Sequence, residues 1–289
     1  MRKFIFICIL SIVVVNESVW ADSLSGLLQL SHELHEQKDY INAALGYRQI
    51  ALSVENEQDR SAYRFAAAYE YVCAQHYHLA QLMVDQFFET NVEFSEYAHF
   101  LNGEAALGLK SYSEADIDFQ HVLENTSADE TLRLMASARL CRVRMLTRQM
   151  DEALDALYQS PADMSPAIEM YATYQKEKDK SPVLGGVLGI IPGLGYAYSG
   201  EYGSAIRSFI INALFIYGMI DTAQHQQWGF FGVIGFFEMT WYSGSIYGGI
   251  DAAYRYNENR LNQCIDAIDP YQFQLDIQAL PQIRFTFSF

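Results

Sequence analysis

Histidines and acidic residues near the start of the chain are the first candidates for chemistry. The run His32-Glu33-Leu34-His35-Glu36 lacks the H-E-x-x-H spacing of zinc proteases, because the residue four places after His32 is Glu36. Further along, Cys73, His76 and His78 have a spacing that fits no common zinc site, and a fourth ligand is missing. We therefore predict that the protein holds no metal ion.

Motifs for covalent catalysis and for phosphate binding are absent from the sequence. It contains no G-x-S-x-G, no P-loop and no G-x-G-x-x-G that follows a strand. The segment Pro192-Gly193-Leu194-Gly195 is glycine-rich, but it lies inside an apolar run and has no phosphate-binding lysine. These observations predict a protein without enzymatic activity and without a cofactor.

Two charged residues lie inside long apolar runs, and these are Arg207 and Glu238. Charges in such surroundings are functional candidates by default, because they are expensive in lipid. One interpretation is that they pair between two helices. The alternative is a proton or ion pathway, which would make the protein a small transporter or channel subunit.

Charge and glycine are unevenly distributed along the 289 residues. The formal net charge is −16, which excludes a nucleic-acid binder because phosphate recognition needs a basic face. Most acidic residues precede Lys180, whereas 14 of the 18 glycines lie between Gly185 and Gly249. The chain therefore joins an acidic, soluble half to a glycine-rich, apolar half.

Residues 1–21 are predicted to be a cleaved signal peptide. Arg2 and Lys3 form its basic start, and residues 4–15 form an apolar core that is short for a membrane span of about 20 residues. Val19 and Ala21 supply the small residues that precede a cleavage site. An uncleaved anchor is the alternative. The export signal is typical of a bacterial cell-envelope protein.

Three cysteines follow the predicted cleavage site, and an odd number in an exported chain leaves at least one free thiol. Because none belongs to a C-x-x-C motif, we expect buried thiols that pack as small apolar groups. They are Cys73, Cys141 and Cys264.

A sequence pattern recurs four times between residues 24 and 161. Each copy has a large apolar or aromatic residue, two spacers and an alanine, followed four residues later by another large residue. The alanines are 37, 35 and 38 residues apart. The residues that we expect to pack between helices are Tyr40, Ala43, Tyr47, Tyr77, Ala80, Tyr112, Ala115, Phe119 and Ala153.

This pattern resembles the tetratricopeptide repeat, whose second helix carries A-x-x-x-F at a period of 34 residues. The alanine stands where two helices cross closely. The turn glycine of that family is replaced in all four copies, by Lys38, Gln75, Lys110 and Arg148. The resemblance implies a solenoid of helical hairpins over residues 22–165 that binds a protein or peptide on its concave face. A spacer or dimerisation module is the alternative.

The second half contains three apolar runs at residues 182–199, 203–220 and 228–250. Their lengths of 18, 18 and 23 residues are close to the ~20 residues that a membrane-spanning helix needs. We expect a membrane domain over residues 182–256 with two or three spans, after a polar linker at 166–181. A helical hairpin buried in a soluble domain is the alternative.

Glycines in these runs recur at helical spacing. Gly185, Gly189 and Gly193 are each four residues apart and predict one smooth helix face for close packing; Gly244 and Gly248 repeat the spacing. Such faces could also join two copies of the chain. The segment from Ile191 to Gly200 resembles the P-G-x-G-x-x-Y-x-G-x-x-x-x-G signature of small bacterial membrane domains of unassigned function. The residues that match it are Pro192, Gly193, Gly195, Gly200 and, earlier than the pattern requires, Gly203.

The tail, residues 257–289, ends in two segments in which apolar and polar residues alternate. This period of two predicts strands, and Pro281 predicts a turn between them. A hairpin packed on the helical part is one interpretation. The terminal Phe289 also resembles the C-terminal signal of outer-membrane barrels, although the chain cannot supply eight strands.

Together these features predict a mainly α fold, in which a tetratricopeptide-like solenoid precedes a glycine-rich transmembrane domain and a short C-terminal β-hairpin. We expect a scaffold at the membrane with its solenoid in the periplasm, at the inner membrane or the outer one. Its expected partners are a protein or peptide and membrane lipid, and nucleic acid is not among them.

Overall fold

The computed structural model of the chain describes residues 24–88, 95–275 and 285–288. The predicted mainly helical fold is confirmed in these residues. They form two compact units, of which the first contains the residues up to Ile168 and those from Asp269 onward. The second unit is Glu169–Ile268. The predicted signal peptide and Pro281 lie outside the described residues.

The helices of the first unit follow one another with short turns. They are α1 (residues 24–36), α2 (Tyr40–Ser53), α3 (Glu57–Cys73), α4 (Tyr77–Phe88), α5 (Ser95–Gly108), α6 (Tyr112–Glu124), α7 (Glu130–Leu146) and α8 (Met150–Tyr158). From α2 to α8 each helix packs against the next, and α5 also contacts α3 and α7. The first helices of successive hairpins therefore touch one another.

The turn inside each hairpin has the same backbone geometry. Lys38, Gln75, Lys110 and Arg148 all have φ between 60° and 64°, although none is glycine. In the turn at Gln75, the amide of His76 donates to Tyr71 O at 2.8 Å and the amide of Gln75 donates to Val72 O at 2.9 Å. This is the Schellman pattern that ends a helix with a left-handed residue. The aligned repeat positions therefore share one turn.

A glycine at one of these turns is expected to stabilise the protein. Gln75→Gly should raise the free energy of unfolding by about 1 kcal/mol, because the left-handed conformation strains any residue with a Cβ atom. The matched control is Gln49→Gly, in the interior of α2 and equally exposed, which should lower stability by about 0.5–1 kcal/mol. Thermal unfolding of the purified full-length protein in detergent compares the two. If both substitutions shifted the unfolding temperature in the same direction, the left-handed turn at Gln75 would be contradicted.

Two short strands close the first unit. Strand β1 (Gln272–Leu275) pairs antiparallel with strand β2 (Phe285–Ser288). In this register Phe273 lies opposite Phe287, and Leu275 lies opposite Phe285. The two apolar pairs fall at alternate positions of this register.

The helices of the rest of the chain differ from two boundaries taken from the sequence. They are α9 (Ser165–Lys176), α10 (Pro182–Leu188), α11 (Leu194–Tyr198), α12 (Tyr202–Gln224) and α13 (Trp228–Ile268). The expected polar linker at 166–181 is largely α9, since Tyr171 and Tyr174 give it a buried face. Helix α13 continues 12 residues beyond position 256, because Leu261, Cys264 and Ile265 are buried at helical spacing.

The first apolar run does not form one helix. Helices α10 and α11 have seven and five residues and are separated by a turn at Pro192 and Gly193. At 1.5 Å per residue the longer of them measures about 10 Å, too short to cross a hydrocarbon core of about 30 Å. The apolar run at 182–199 is therefore two short helices in place of the single helix that its length suggested.

Candidate functional site

The residues expected to pack between repeat helices lie in the core of the first unit. The four alanines Ala43, Ala80, Ala115 and Ala153 have no exposed surface, and Tyr47 and Phe119 are equally buried. Gly103 lets α5 and α6 of the third hairpin approach closely, because a Cβ atom there would stand 2.7 Å from the Phe119 ring. Tyr40, Tyr77 and Tyr112, which follow the turns, are only half-buried. They keep a surface that a partner can contact.

A groove lies along the turn ends of the second, third and fourth hairpins. Its volume is about 340 Å³. Tyr77, Leu107 and Tyr112 give it apolar walls, and Lys110 and Arg142 give it positive charge. Two of the half-buried tyrosines therefore line a cavity. This groove, called the turn groove below, is a candidate binding site for an extended peptide.

A buried ion cluster forms the floor of the turn groove. Arg139 on α7 donates from Nε to Glu104 Oε1 on α5 at 2.5 Å. Its Nη1 donates to the carboxylate of Asp269, and its Nη2 donates to the carbonyl oxygen of Tyr271 at 3.1 Å. Arg142 Nη1 lies 3.8 Å from Asp269 Oδ2. The cluster therefore fixes the start of the C-terminal tail against two helices of the hairpins.

Burial changes the acidity of the groups in this cluster. The side chain of Asp269 has no exposed surface, and burial raises its pKa to about 6 even though Arg139 acts in the opposite direction. Burial acts to lower the pKa of Arg139, but the carboxylates of Glu104 and Asp269 outweigh it and keep the guanidinium charged. The tail is thus held by a carboxylate that takes up a proton at mildly acidic pH.

A second buried acid, Glu70, is bonded to a histidine. His35 Nδ1 lies 2.7 Å from Glu70 Oε1. The hydrogen bond to Glu70 raises the pKa of His35, and burial raises the pKa of Glu70. Burial also raises the pKa of the nearby Cys73 thiol to about 12, so the thiol is unreactive. The sequence run around His35 thus takes part in core packing.

The first unit is expected to lose stability as the pH rises from 4 to 7.5. A group whose pKa is raised by folding binds more protons in the folded state than in the unfolded state. Its contribution to the free energy of unfolding is complete below its unfolded-state pKa and is lost as the pH rises through its folded-state pKa. For Asp269 this window runs from about 4 to about 6 and corresponds to roughly 2–3 kcal/mol. The raised pKa of His35 extends the loss above 6.5.

Amide hydrogen exchange in α5 and α7 at several pH values, corrected for the intrinsic rate, measures this loss. Asp269→Asn should reduce the slope of the profile between pH 4 and 6, where the raised pKa of Glu70 still contributes, and should leave the slope above 6.5 unchanged. A wild-type profile that rises over this range would contradict the expectation.

Sequence reasoning missed the ion cluster, although a signal was present. Arg139 follows Ala138 and precedes Leu140 and Cys141, all of which are fully buried, so its charge interrupts a buried stretch of α7. An arginine in such a stretch needs an acidic partner. Its partner Asp269 is 130 residues away along the chain, and no local pattern indicates it.

No metal site is formed in the described parts of the chain. No group of three or more His, Cys, Asp or Glu side chains there is placed to hold an ion. The histidines at 32 and 35 and the group Cys73, His76 and His78 are included in this finding. Cys73, Cys141 and Cys264 are all free thiols, and the last two are buried.

Glycine contacts hold the short helices of the second unit against α13. A Cβ atom on Gly185 would collide with the backbone oxygen of Gly249, and one on Gly195 would meet both Gly185 and Gly249. At Gly189 a Cβ atom would stand 2.8 Å from Ser245 O. These glycines pack against backbone of the same unit. Their predicted packing between two copies of the chain would need surface that these contacts already cover.

The remaining predicted glycine positions have other surroundings. Gly193 has φ of +87° and begins α11, so it does not share a helix face with Gly185 and Gly189. Its amide donates to Ser245 Oγ at 3.1 Å. Gly200, at φ +85°, ends α11, while Gly203 and Gly244 have nothing within 4 Å of a built Cβ atom. Gly248 instead lies under the Tyr196 side chain.

Helices α12 and α13 pack side by side but leave most of their apolar side chains uncovered. Helix α12 is long and apolar enough to cross a membrane, and only 6% of its most apolar 18-residue window is buried. Large side chains exposed by half or more occur along both helices. They are Tyr202, Ile206, Phe209, Ile210, Leu214, Tyr217, Ile220, Trp228, Phe230, Val233, Phe236, Phe237, Met239, Trp241, Tyr247 and Tyr254.

The charged residues of this hairpin do not form the ion pair suggested by the sequence. Arg207 bonds to its own helix, through Nε to Gly203 O at 3.2 Å and through Nη2 to Ser204 Oγ at 3.4 Å. Glu238 is half-buried, and its Oε2 has no hydrogen-bond partner among the described residues. Arg207 and Glu238 therefore do not bond to each other.

Comparison with known proteins adds no relative, since no family model, no curated protein and no solved structure matches this chain.

Proposed function

We propose that this protein is a non-enzymatic, membrane-associated scaffold of the bacterial cell envelope, which holds a protein or peptide partner on its helical repeats. In this proposal the hairpins α1–α8 form a tetratricopeptide-like solenoid, and the α12–α13 hairpin anchors the chain in a bilayer. The observation that carries it is the uncovered apolar surface of α12 and α13.

The exposed apolar surface supports a bilayer rather than an aqueous environment. Apolar patches of more than a few hundred Å² are rare on soluble proteins. A core helix of a soluble protein would be largely buried, whereas α12 buries 6% of its most apolar window. The tip between the two helices, from Gln224 to Gln227, is polar and exposed, as expected for a loop that emerges on the far side of the membrane.

Two spans fit the described contacts better than three. Helices α10 and α11 are too short to cross, which leaves α12 and the first part of α13. Independently, Arg139 contacts Asp269, so residues that precede the apolar half meet residues that follow it. A chain with an odd number of crossings would separate them by the bilayer. The predicted signal peptide suggests that their common side is the periplasm.

The turn groove is the proposed site of partner binding. It carries Lys110 and Arg142 in a unit that is otherwise strongly acidic, while the charge of Arg139 is already balanced by Glu104. Asp269 supports a carboxylate as the ligand of this site, because it lies on extended chain against Arg139 and Arg142. We propose an extended peptide segment with an acidic side chain as the partner.

Cross-linking in living cells tests partner binding. A photoreactive residue at Tyr112, on the groove, should capture one defined partner, and the same residue at Ile117, exposed on α6 and outside the groove, should not. Arg142→Glu, added to the variant with the probe at position 112, should abolish capture. Equal capture at both positions, or none at either, would overturn the proposed site.

Thiol labelling tests the topology. Lys178, Gln226 and Asn259 are exposed and are each replaced by a single cysteine. Lys178 and Asn259 flank the proposed spans, and Gln226 lies at the tip between α12 and α13. An impermeant reagent should reach Lys178→Cys and Asn259→Cys from one side and Gln226→Cys only after the membrane is opened. Recovery of the wild-type protein without detergent in the soluble fraction would overturn the membrane half of the proposal.

A further inference from the structure

Among the described residues, Arg207 has no acidic partner, although it lies on an apolar helix. It is the only lysine or arginine between Lys180 and Arg255 in the sequence. Its side chain is exposed, and its two hydrogen bonds, to Gly203 and Ser204, stay within its own helix. A guanidinium has five N–H donors, so several remain for another group. In lipid such a cation needs an anion or water.

The acidic residues of the same stretch do not supply that anion. They are Glu201, Asp221, Glu238 and Asp251. Glu201 and Asp251 both bond to Arg255, and Asp221 lies 3.6 Å from His225 at the other end of α12. Glu238 bonds to no described residue. Arg207 therefore has no ion-pair partner among the described residues, and an anion from outside the chain can take that place.

Arg207 lines a cleft of about 340 Å³ between α11, α12 and α13. Ser204 and Ser208 on α12 add hydroxyl donors to it, and Tyr196 and Trp241 add aromatic walls. Gly244 leaves its α13 side open, since a Cβ atom there would meet nothing within 4 Å. The cleft thus combines a cation, hydroxyl groups and space, with an apolar rim.

The position of the cleft matches the headgroup region of a bilayer. Arg207 lies five residues after Tyr202, where α12 begins, which is about 8 Å along the helix axis. A long arginine side chain reaches the interface from that depth. The exposed Ile206, Phe209 and Ile210 beside it offer apolar contacts to acyl chains.

We propose that this cleft binds the phosphodiester headgroup of an anionic phospholipid, an inference that depends on the proposed membrane placement of the α12–α13 hairpin. Guanidinium binds phosphate oxygens with two parallel hydrogen bonds, and the serine hydroxyls add further donors. The net negative charge of the lipid neutralises Arg207, which a zwitterionic lipid does not do. The acyl chains then cover the apolar side chains next to the cleft.

The experiment measures lipid retention by the full-length protein. Protein purified in mild detergent is titrated with phosphatidylglycerol, phosphatidylcholine or inorganic phosphate, and bound lipid is counted by native mass spectrometry. We expect one phosphatidylglycerol per chain, weaker phosphatidylcholine binding, and no displacement by millimolar phosphate. Arg207→Gln should weaken phosphatidylglycerol binding roughly tenfold or more, whereas Arg255→Gln, another exposed arginine of the unit, should leave it unchanged.

Several results would overturn the inference. Equal retention of both lipids, displacement by inorganic phosphate, or unchanged binding by Arg207→Gln would each do so. Ser208→Ala provides a milder variant, which should weaken binding by a smaller factor if Arg207→Gln fails to fold. Membrane fractionation of the wild-type protein separates the two proposals. A protein absent from the membrane overturns the proposed function, while a membrane-bound protein without lipid selectivity overturns only the lipid site.

Discussion

Replacing Arg139 by alanine is expected to destabilise the first unit by about 3–5 kcal/mol. The side chain links Glu104 on α5 to Asp269 at the start of the tail, and it is almost completely buried. Its removal leaves Glu104 and Asp269 with no nearby cation except the more distant Arg142. Because buried charges without partners are costly, the tail should detach and Asp269 should become protonated or solvated.

Hydrogen exchange measures both parts of this expectation. In Arg139→Ala, amides from Tyr271 to Leu275 should lose protection, and α5 and α7 should exchange faster. The matched control is Arg142→Ala on the same helix, whose side chain is more than a third exposed and lies 3.8 Å from Asp269. It should cost less than about 1 kcal/mol. Similar losses in the two variants would show that the cluster does not hold the tail.

The repeat pattern was sufficient to locate the hairpin turns and the buried alanines. Spacing alone aligned Lys38, Gln75, Lys110 and Arg148, and the structure gives all four the same left-handed turn. Local sequence determines such features, because helix ends and helix-crossing positions depend on residues a few places apart. The superhelical path and the partner are set by longer-range packing and by other molecules, so they remain proposals.

The ion cluster could not be predicted from one sequence. Asp269 stands between the end of α13 and Pro270, a position where an aspartate usually begins a turn. Only the folded chain brings it to Arg139. The turn groove was missed for the same reason, since Tyr77 and Lys110 are 33 residues apart and their shared surface depends on how hairpins stack.

Glycine spacing predicted close packing in the apolar half but misplaced its helices. Four-residue spacing fits one continuous helix through Gly193, and periodicity carries no information about a backbone break. The sequence Pro192-Gly193 did contain the signal, because proline and glycine together favour a turn. The break makes α10 and α11 a pair of short helices that pack beside Gly249, in place of one continuous helix.

The contact between Gly185, Gly195 and Gly249 is therefore the structural centre of the second unit. At Gly249 a Cβ atom would collide with Gly185 O and would stand 3.0 Å from Gly195 Cα. These neighbours are backbone atoms, which cannot move aside as a flexible side chain can. Relief is possible only if α10 and α11 move away from α13 as a whole.

Gly249→Leu is consequently expected to destabilise the second unit by at least about 3 kcal/mol, at or above the upper end of ordinary overpacking. Gly244→Leu is the matched control on the same helix, since its Cβ position is open, and leucine favours a helix by up to about 1 kcal/mol relative to glycine. Hydrogen exchange of residues 182–199 in detergent should become fast in Gly249→Leu and stay slow in Gly244→Leu. If both variants keep the wild-type protection, α10 and α11 are held by contacts other than the glycines, and the close backbone approach is not what builds this unit.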